Sequence, residues 1–242
     1  MTKTVIDTGM RNMNIIVTGG AGFIGSHLVD RLIQEGHRVL VIDNLCSGLR
    51  KFVNVQAEFL ELDIRNEKIH DVFEDFQPDY VFHEAAQTVV AESMAHPTED
   101  CDINLMGLLN VLQASVKVGV KKFLMPSSAA VYGDLERLPL TENLAGVPRS
   151  CYGLTKLTTE GYLRIYQESF GLPYICYRYS NVYGPRQGNG GEGGVVSIFC
   201  EHVANGESIK IFGDGEQTRD FVYVDDVVEA NILGLNNDVT GV

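Results

Sequence analysis

Residues 15–25 read IIVTGGAGFIG, and the fold of the whole chain turns on how that stretch is understood. A short β-branched run ends at Thr18, then come Gly19, Gly20, Gly22 and Gly25, and Ile24, Leu28, Leu32 and Ile33 recur at helical spacing. Strand, tight turn and helix are predicted in that order. The glycines fit both G-x-x-G-x-x-G (19, 22, 25) and G-x-G-x-x-G (20, 22, 25). Such spacing lets the backbone turn sharply, approach a pyrophosphate closely and pack helix on strand, while the free N–H groups at the helix start face the phosphates. Taken alone, the glycines also fit an ordinary tight turn. The context narrows this: the helix stops at Gly36, a second β-run RVLVI (38–42) follows, and it ends in Asp43. A carboxylate about 20 residues past the glycines accepts ribose hydroxyls in dinucleotide sites and repels a 2′-phosphate, so NAD is expected over NADP.

Composition sets the outer bounds. With 242 residues, 45% hydrophobic and 21% charged, the chain has the make-up of a globular protein of one large or two small domains. Its net charge of −13 repels nucleic acid and anionic membrane surfaces, so neither is expected as a partner. An anionic ligand has to be held by local Arg side chains and backbone N–H groups. Cysteines 46, 101, 151, 176 and 200 are odd in number and form neither a C-x-x-C pair nor a Cys/His cluster. That pattern points to reduced thiols in the cytoplasm and away from a metal site. No long apolar run or signal-peptide core argues otherwise.

Along the chain, residues 1–13 are expected to be a leader before the first strand. After Asp43, the polar loop Asn44, Leu45, Cys46, Ser47, Gly48 is placed to cover an adenosine. A third strand is expected over 59–62, and Asn66 is expected to cap a helix carrying Ile69, Val72, Phe73 and Phe76. Asp63 between them is either a turn residue or a contact to adenine; alone, the turn is favoured. A fourth strand over 80–83 runs into Ala85 and Ala86, small residues that leave room for a ligand at a carboxyl strand end. His83 is read as a strand-end histidine satisfied by backbone rather than as a base. One long helix over 98–118 holds polar Asn104 inside its apolar pattern, and a fifth strand at 123–125 leads to Pro126, Ser127 and Ser128. Strands alternating with helices predict an α/β fold, a doubly wound parallel sheet covered on both faces.

A second chemical site is Tyr152-Gly-Leu-Thr-Lys156, with Ser128 upstream. Spacing of i, i+4 on a helix puts phenol and ammonium on one face. A free phenol needs roughly 4 kcal/mol of help to act as a base at neutral pH. One positive charge at about 5 Å gives about 3 kcal/mol at an effective dielectric near 20, and an oxidised nicotinamide ring adds to it. A lone Y-x-x-x-K is otherwise an ordinary surface pair.

Taken together, TGGAGFIG (18–25), PSSAAVYG (126–133), YGLTK (152–156), RYSNVYGPRQ (178–187) and DGEQTRDFVYVDD (214–226) resemble the extended short-chain dehydrogenase/reductase superfamily. Within it the chain resembles the NAD-dependent epimerase/dehydratase family, most of all nucleotide-sugar epimerases of the UDP-glucose 4-epimerase type. The resemblance implies a Rossmann domain over 14–182 and a smaller substrate-binding part over 183–242, with a helix at 195–204, a strand at 208–212 and a strand and helix over 221–235. It implies tightly held NAD, a UDP-sugar substrate and a homodimer. Carried over position by position, Tyr152 is the base, Lys156 orients the nicotinamide ribose and Ser128 bonds at the reacting oxygen. Gly19, Gly22, Phe23, Ile24, Gly25, Asp43, Asn44, Leu45, Ser47, Gly48, Asp63, Ile64, Ala85, Ala86, Gln87, Asn104 and Ser180 match cofactor contacts. Asn181 and Arg219 match groups on the substrate diphosphate.

The reaction implied is reversible oxidation at C4 of the sugar, with hydride returned to the opposite face. In the related dehydratases and UDP-glucuronate decarboxylases an acidic residue follows the strand-end serine; here Ala129, Ala130 and Val131 follow Ser128, which favours epimerisation. A protein that binds NAD and nucleotide sugar without turning it over is the reading from another class. Two positions depart from the family: Cys151 precedes the tyrosine, and Gly193-Gly194 stand where some epimerases place an asparagine on the uridine. Family members also continue past the position of Val242, so the resemblance implies an incomplete sugar pocket, weak turnover and self-association through exposed apolar surface.

Overall fold

The stretch IIVT becomes the centre of a sheet because its side chains have nowhere else to go. In the computed structural model, which describes residues 12–135, 138–144, 146–188 and 194–242, Ile15, Ile16, Val17 and Thr18 of β1 (Asn14–Thr18) are all fully buried. A strand apolar on both faces belongs inside a parallel sheet covered by helices on each side. Around β1 lie β2 (Arg38–Asp43), β3 (Glu58–Glu61), β4 (Tyr80–His83), β5 (Lys122–Ser128) and β6 (Tyr174–Tyr179), in the order β3-β2-β1-β4-β5-β6. Every pairing is parallel. The chain reverses its direction of travel across the sheet between β1 and β4, and the crevice at their carboxyl ends is where open sheets of this order bind ligands. Most of the leader, residues 1–11, lies outside the described residues, as does Gly193.

One face is covered by α1 (Phe23–Gln34) and α8 (Val224–Leu235), where Leu28, Val29 and Leu32 meet Val228, Ile232 and Leu235 over Ile15, Val17, Val39 and Val41. The buried stripe of α1 is centred on Leu28, Val29 and Leu32, with Ile24 and Ile33 only half-buried at its margin. The other face is covered by α2 (Ile69–Phe76), α5 (Gly107–Val118) and α6 (Cys151–Phe170), packing Phe73, Leu108, Leu112, Phe123 and Leu163. Lys122 is buried among these elements because its ammonium caps α8, donating to the carbonyls of Gly234 at 2.9 Å and of Asn237.

Several expectations need correction. The long helix is three pieces: α4 (Pro97–Cys101), a π-helical turn Asp102–Met106, and α5, with the short α3 (Val90–Ala95) before them. Asn66 does not cap α2; its Oδ1 accepts from the Lys68 N–H in a local turn, and α2 starts at Ile69. Between α7 (Val195–Ala204) and β8 (Phe221–Tyr223), residues 208–212 form no strand, because no edge is offered to their alternating pattern. β8 instead pairs with β7 (Asn181–Tyr183) in a separate two-stranded parallel sheet.

Candidate active site

The glycine turn is held shut by close backbone contact. Gly19 has φ +70°, and a Cβ there would meet the Ala85 nitrogen at 2.5 Å; one on Gly25 would meet the Gly19 carbonyl oxygen at 2.3 Å. No larger residue fits either place, and Gly22 enters α1 with no side chain bonded across its first N–H groups. Asp43, buried at the end of β2, accepts from the Ala21 N–H at 2.9 Å and the Leu45 N–H at 2.8 Å. It therefore clamps the turn to the loop 44–48 before it meets any ribose. A Cβ on Gly48 would strike that carboxylate at 2.9 Å, and Ser47 is exposed beside it.

Asn44 donates to Asp63 at 2.9 Å, and Asp63 also takes Arg65 through Nε at 2.9 Å and Nη2 at 2.7 Å. Arg65 holds the Asp63 carboxyl far below the usual range, so Asp63 is a turn anchor that also fixes the loop 44–48. Ile64 spends its side chain in the core, within reach of Gly107. Phe23 is half-buried and packs edge-on against His27.

At the carboxyl end of β4, Ala85 lies against Gly19, and Ala86 is half-buried next to it. His83 Nδ1 bonds the Thr18 hydroxyl at 2.9 Å, so its partner is a side chain on the neighbouring strand and not backbone. Burial first, and Lys156 second, push His83 down to about 3, which leaves it neutral. Gln87 and Asn104 exchange two bonds, N–H to Oδ1 at 2.9 Å and Nδ2 to the Gln87 carbonyl at 3.0 Å. The π-helical turn puts Asn104 there, buried, inside a helix that would otherwise be apolar.

α6 begins at Cys151 with Ser150 accepting from the Gly153 N–H at 3.0 Å. One turn holds both expected residues: Tyr152 is 9% exposed and Lys156 3%. The ammonium stands 5.9 Å from the centre of the phenol ring and donates to the Pro126 carbonyl at 3.0 Å. Glu160, a further turn on, is neutralised by Arg178 at 2.9 and 2.8 Å and takes the Ser127 hydroxyl at 2.6 Å. Ser128 ends β5, its hydroxyl oxygen accepting from the Ala130 N–H at 3.2 Å, and it pairs in register with Tyr179. Ser180 follows at half exposure. Asn181 and Arg219 are exposed: Asn181 donates to the Asp220 carbonyl at 2.9 Å, and Arg219 to the carbonyl of Thr218 at 2.7 Å. The β7–β8 ladder, which pairs Asn181 with Phe221, brings Asn181 close in sequence register to Arg219.

Sequence reasoning missed four groups. Glu84 follows His83, its Oε1 enclosed without a hydrogen-bond partner, and burial pushes it up to about 7 against the pull of Lys156. Ser93, Asp100 and Thr155 bond to the first turn of α6 or to Gln87. The signals were faint: Asp100 lies four residues before Asn104, and Thr155 three after Tyr152. Cys151 is half-exposed and donates its N–H to Met94 Sδ at 3.4 Å. Among the described residues no group of three or more His, Cys, Asp or Glu could hold a metal ion, and no helix is long and apolar enough to cross a membrane. A cavity of about 620 Å³ lined by Met13, Tyr80, Lys122 and Pro173 lies at the opposite end of the strands and contains none of these residues.

Comparison with known proteins places the arrangement. A family model for the NAD-dependent epimerase/dehydratase family matches residues 15–242. The crystal structure of a UDP-glucose 4-epimerase from Thermotoga maritima, with UDP-glucose, is 49% identical with a TM-score of 0.90, covering 92% of this chain and 73% of that one. A UDP-glucose 4-epimerase from Thermus thermophilus, in complex with NAD, is 41% identical with a TM-score of 0.89, over 95% of this chain and 76% of that one. UDP-glucuronic acid decarboxylase 1 of Arabidopsis thaliana is also similar, 36% identical over 99% of this chain and 55% of that protein.

Proposed function

This chain belongs to the NAD-dependent epimerase/dehydratase family, and we propose that within it the protein is a nucleotide-sugar 4-epimerase acting on UDP-glucose and UDP-galactose. The observation that carries the reading is the pair Tyr152 and Lys156, buried on one face of α6 beside a strand end where Ser128 is followed by alanines. The residues present fit NAD. Neighbouring backbone leaves no room for a Cβ on Gly19 or Gly25, so the turn stays tight enough for a pyrophosphate to approach its backbone; α1 offers uncapped N–H groups, and Asp43 stands at the end of β2. Gly19, Gly22, Phe23, Ile24 and Gly25 would hold the pyrophosphate, Asp43 to Gly48 with Asp63 and Ile64 the adenosine, and Ala85, Ala86, Gln87, Asn104 and Ser180 the nicotinamide side. When bound, NAD supplies the acceptor for the hydride at C4 and returns it.

The protein's own part is to move one proton and to hold one alcohol. Tyr152 takes the proton of the sugar 4-hydroxyl, and Ser128 bonds the same oxygen. Lys156 sets its ammonium charge 5.9 Å from the centre of the phenol ring, and its bond to the Pro126 carbonyl fixes it there. Arg178 cancels Glu160, so no unpaired carboxylate one turn away competes for that charge. Asn181 and Arg219 would take the diphosphate from the solvent side.

The similarity to a decarboxylase keeps a second reading in view, in which the 4-keto sugar reacts further. Incubation in D₂O with UDP-glucose or UDP-galactose, and in parallel with UDP-glucuronate, separates them. The proposal expects interconversion with no deuterium on carbon. Deuterium in the product, or a 6-deoxy-4-keto sugar, would assign a dehydratase, and UDP-xylose formed from UDP-glucuronate a decarboxylase.

A further inference from the structure

Asp100, on α4, is 1% exposed, and three neutral groups converge on it. Gln87 Nε2 donates to Oδ1 at 2.8 Å, Asn104 Nδ2 to Oδ1 at 3.1 Å, and the Thr155 hydroxyl to Oδ2 at 2.6 Å. These donors come from three places: the loop after β4, the π-helical turn and the first turn of α6. Thr155 has one proton and two acceptors within reach, Asp100 and the Cys151 carbonyl at 2.8 Å. The carboxylate, nearer and the stronger acceptor, takes it. α3 completes the hold on the same turn. Ser93 Oγ accepts from the Tyr152 N–H at 3.0 Å and donates to the Val90 carbonyl at 2.7 Å. At the start of α6 the Cys151 and Tyr152 N–H groups are thus taken by α3, through Met94 and Ser93, and that of Gly153 by the N-cap Ser150.

We propose that Asp100 is a positioning residue that ties the first turn of α6, and with it Tyr152 and Lys156, to the loop carrying Ala86 and Gln87, so that one buried side chain sets the base against the cofactor. The inference rests on the reading of Tyr152 as the base. A carboxylate suits the place because all three neighbours donate to it. Its two arms are separable: Thr155 holds the helix, and Gln87 holds the loop. Each arm makes its own demand. Misplacing a reacting group by about 1 Å costs on the order of 10²-fold in rate, so loss of the helix arm falls on kcat. Loss of the loop arm, about one hydrogen bond to a carboxylate, falls on cofactor retention by roughly 10-fold.

The test uses the whole chain and two readouts, steady-state kinetics with UDP-galactose and the rate of NAD release. Thr155→Val should lower kcat by about 10²-fold with KM within about twofold and NAD release unchanged, and Thr155→Ser should restore kcat. Gln87→Leu should speed NAD release by about 10-fold, and Asp100→Ala should show both defects. Should Asp100→Ala not fold, the two single-arm variants carry the test. Wild-type kcat in Thr155→Val together with wild-type NAD release in Gln87→Leu overturns the proposal, as does equal loss of both properties in every variant, which would mark a merely structural role. If the unmodified chain interconverts no UDP-sugar, the proposed function fails, and NAD release from Gln87→Leu and Asp100→Ala still decides the loop arm.

Discussion

Helices α1 and α7 are both rich in apolar residues, and they meet opposite fates. α1 buries Leu28, Val29 and Leu32 against the sheet, whereas α7, reading VVSIFCEHVA, has no buried residue at all. The same contrast holds for the regions around them. The layer from β1 to β6 is closed on both faces, while Val203, Ile211, Phe212 and Phe221 stand exposed in the stretch around α7 and β8. Apolar composition gives a core only where a partner surface exists to remove it from water. The layer from β1 to β6 is therefore set by its own packing, and the stretch around α7 and β8 is not.

The largest expected effect that sharpens this contrast is catalytic. Tyr152→Phe keeps the buried ring and removes the proton acceptor, so turnover should fall by about 10²- to 10⁴-fold while NAD stays bound. Kinetics alongside cofactor content after gel filtration check it; retained turnover would place the base elsewhere. Next is a matched pair of core and surface changes. Phe73→Ala should cost about 3–5 kcal/mol of stability, because Phe73 is fully buried, and Phe212→Ala, at an exposed site, less than about 0.5 kcal/mol. Denaturant midpoints measure both, and equal losses would erase the distinction between the regions. Smaller again, Gly25→Ala should cost about 1–3 kcal/mol and weaken NAD binding, since its methyl meets the Gly19 carbonyl at 2.3 Å.

The smallest effect is a cancellation. His83, lowered from 6.5 to about 3, binds its proton in the unfolded chain first, so its contribution to stability is lost as pH falls below 6.5. Glu84, raised from 4.5 to about 7, keeps its proton longer in the folded chain, so its contribution is lost as pH rises from 4.5 to 7. Between 4.5 and 6.5 the two slopes oppose, and stability should be nearly flat with respect to this pair. Glu84→Gln should unmask the histidine, giving a fall of up to about 1.4 kcal/mol per pH unit on acidification. Urea unfolding at several pH values reads it directly; an unchanged slope would mean that the two groups do not titrate as a pair.

Local spacing made the glycine turn, Asp43, and the pair Tyr152 and Lys156 legible, because each is written within one strand-turn-helix unit or one helical turn. That the sheet is parallel and covered on both faces followed from alternation of strand and helix; its strand order came only with the structure. What escaped were contacts between elements distant in sequence: Thr18 with His83, Ser93 with the Tyr152 N–H, and Asp100 with Thr155. The π-helical turn at 102–106 has no signature in a pattern read at 3.6 residues per turn, although Asn104 inside an apolar stripe marked the place. The expected strand over 208–212 failed for the reason α7 is exposed: alternation makes a strand only when another strand is there to pair with it.

The chain leaves the central sheet after Tyr179 and returns to pack on its face with α8 from Val224, and β7 and β8 hold the two ends of that excursion side by side, Asn181 against Phe221 and Tyr183 against Tyr223. A segment whose ends are already clasped behaves like an interchangeable cartridge. Lengthening a closed loop costs only about 0.6 kcal/mol per doubling, so whole new surfaces can be spliced between Tyr183 and Phe221 with little strain on the packed sheet. Evolution, or a designer, can thus change the surface this excursion presents and leave the packed layer alone.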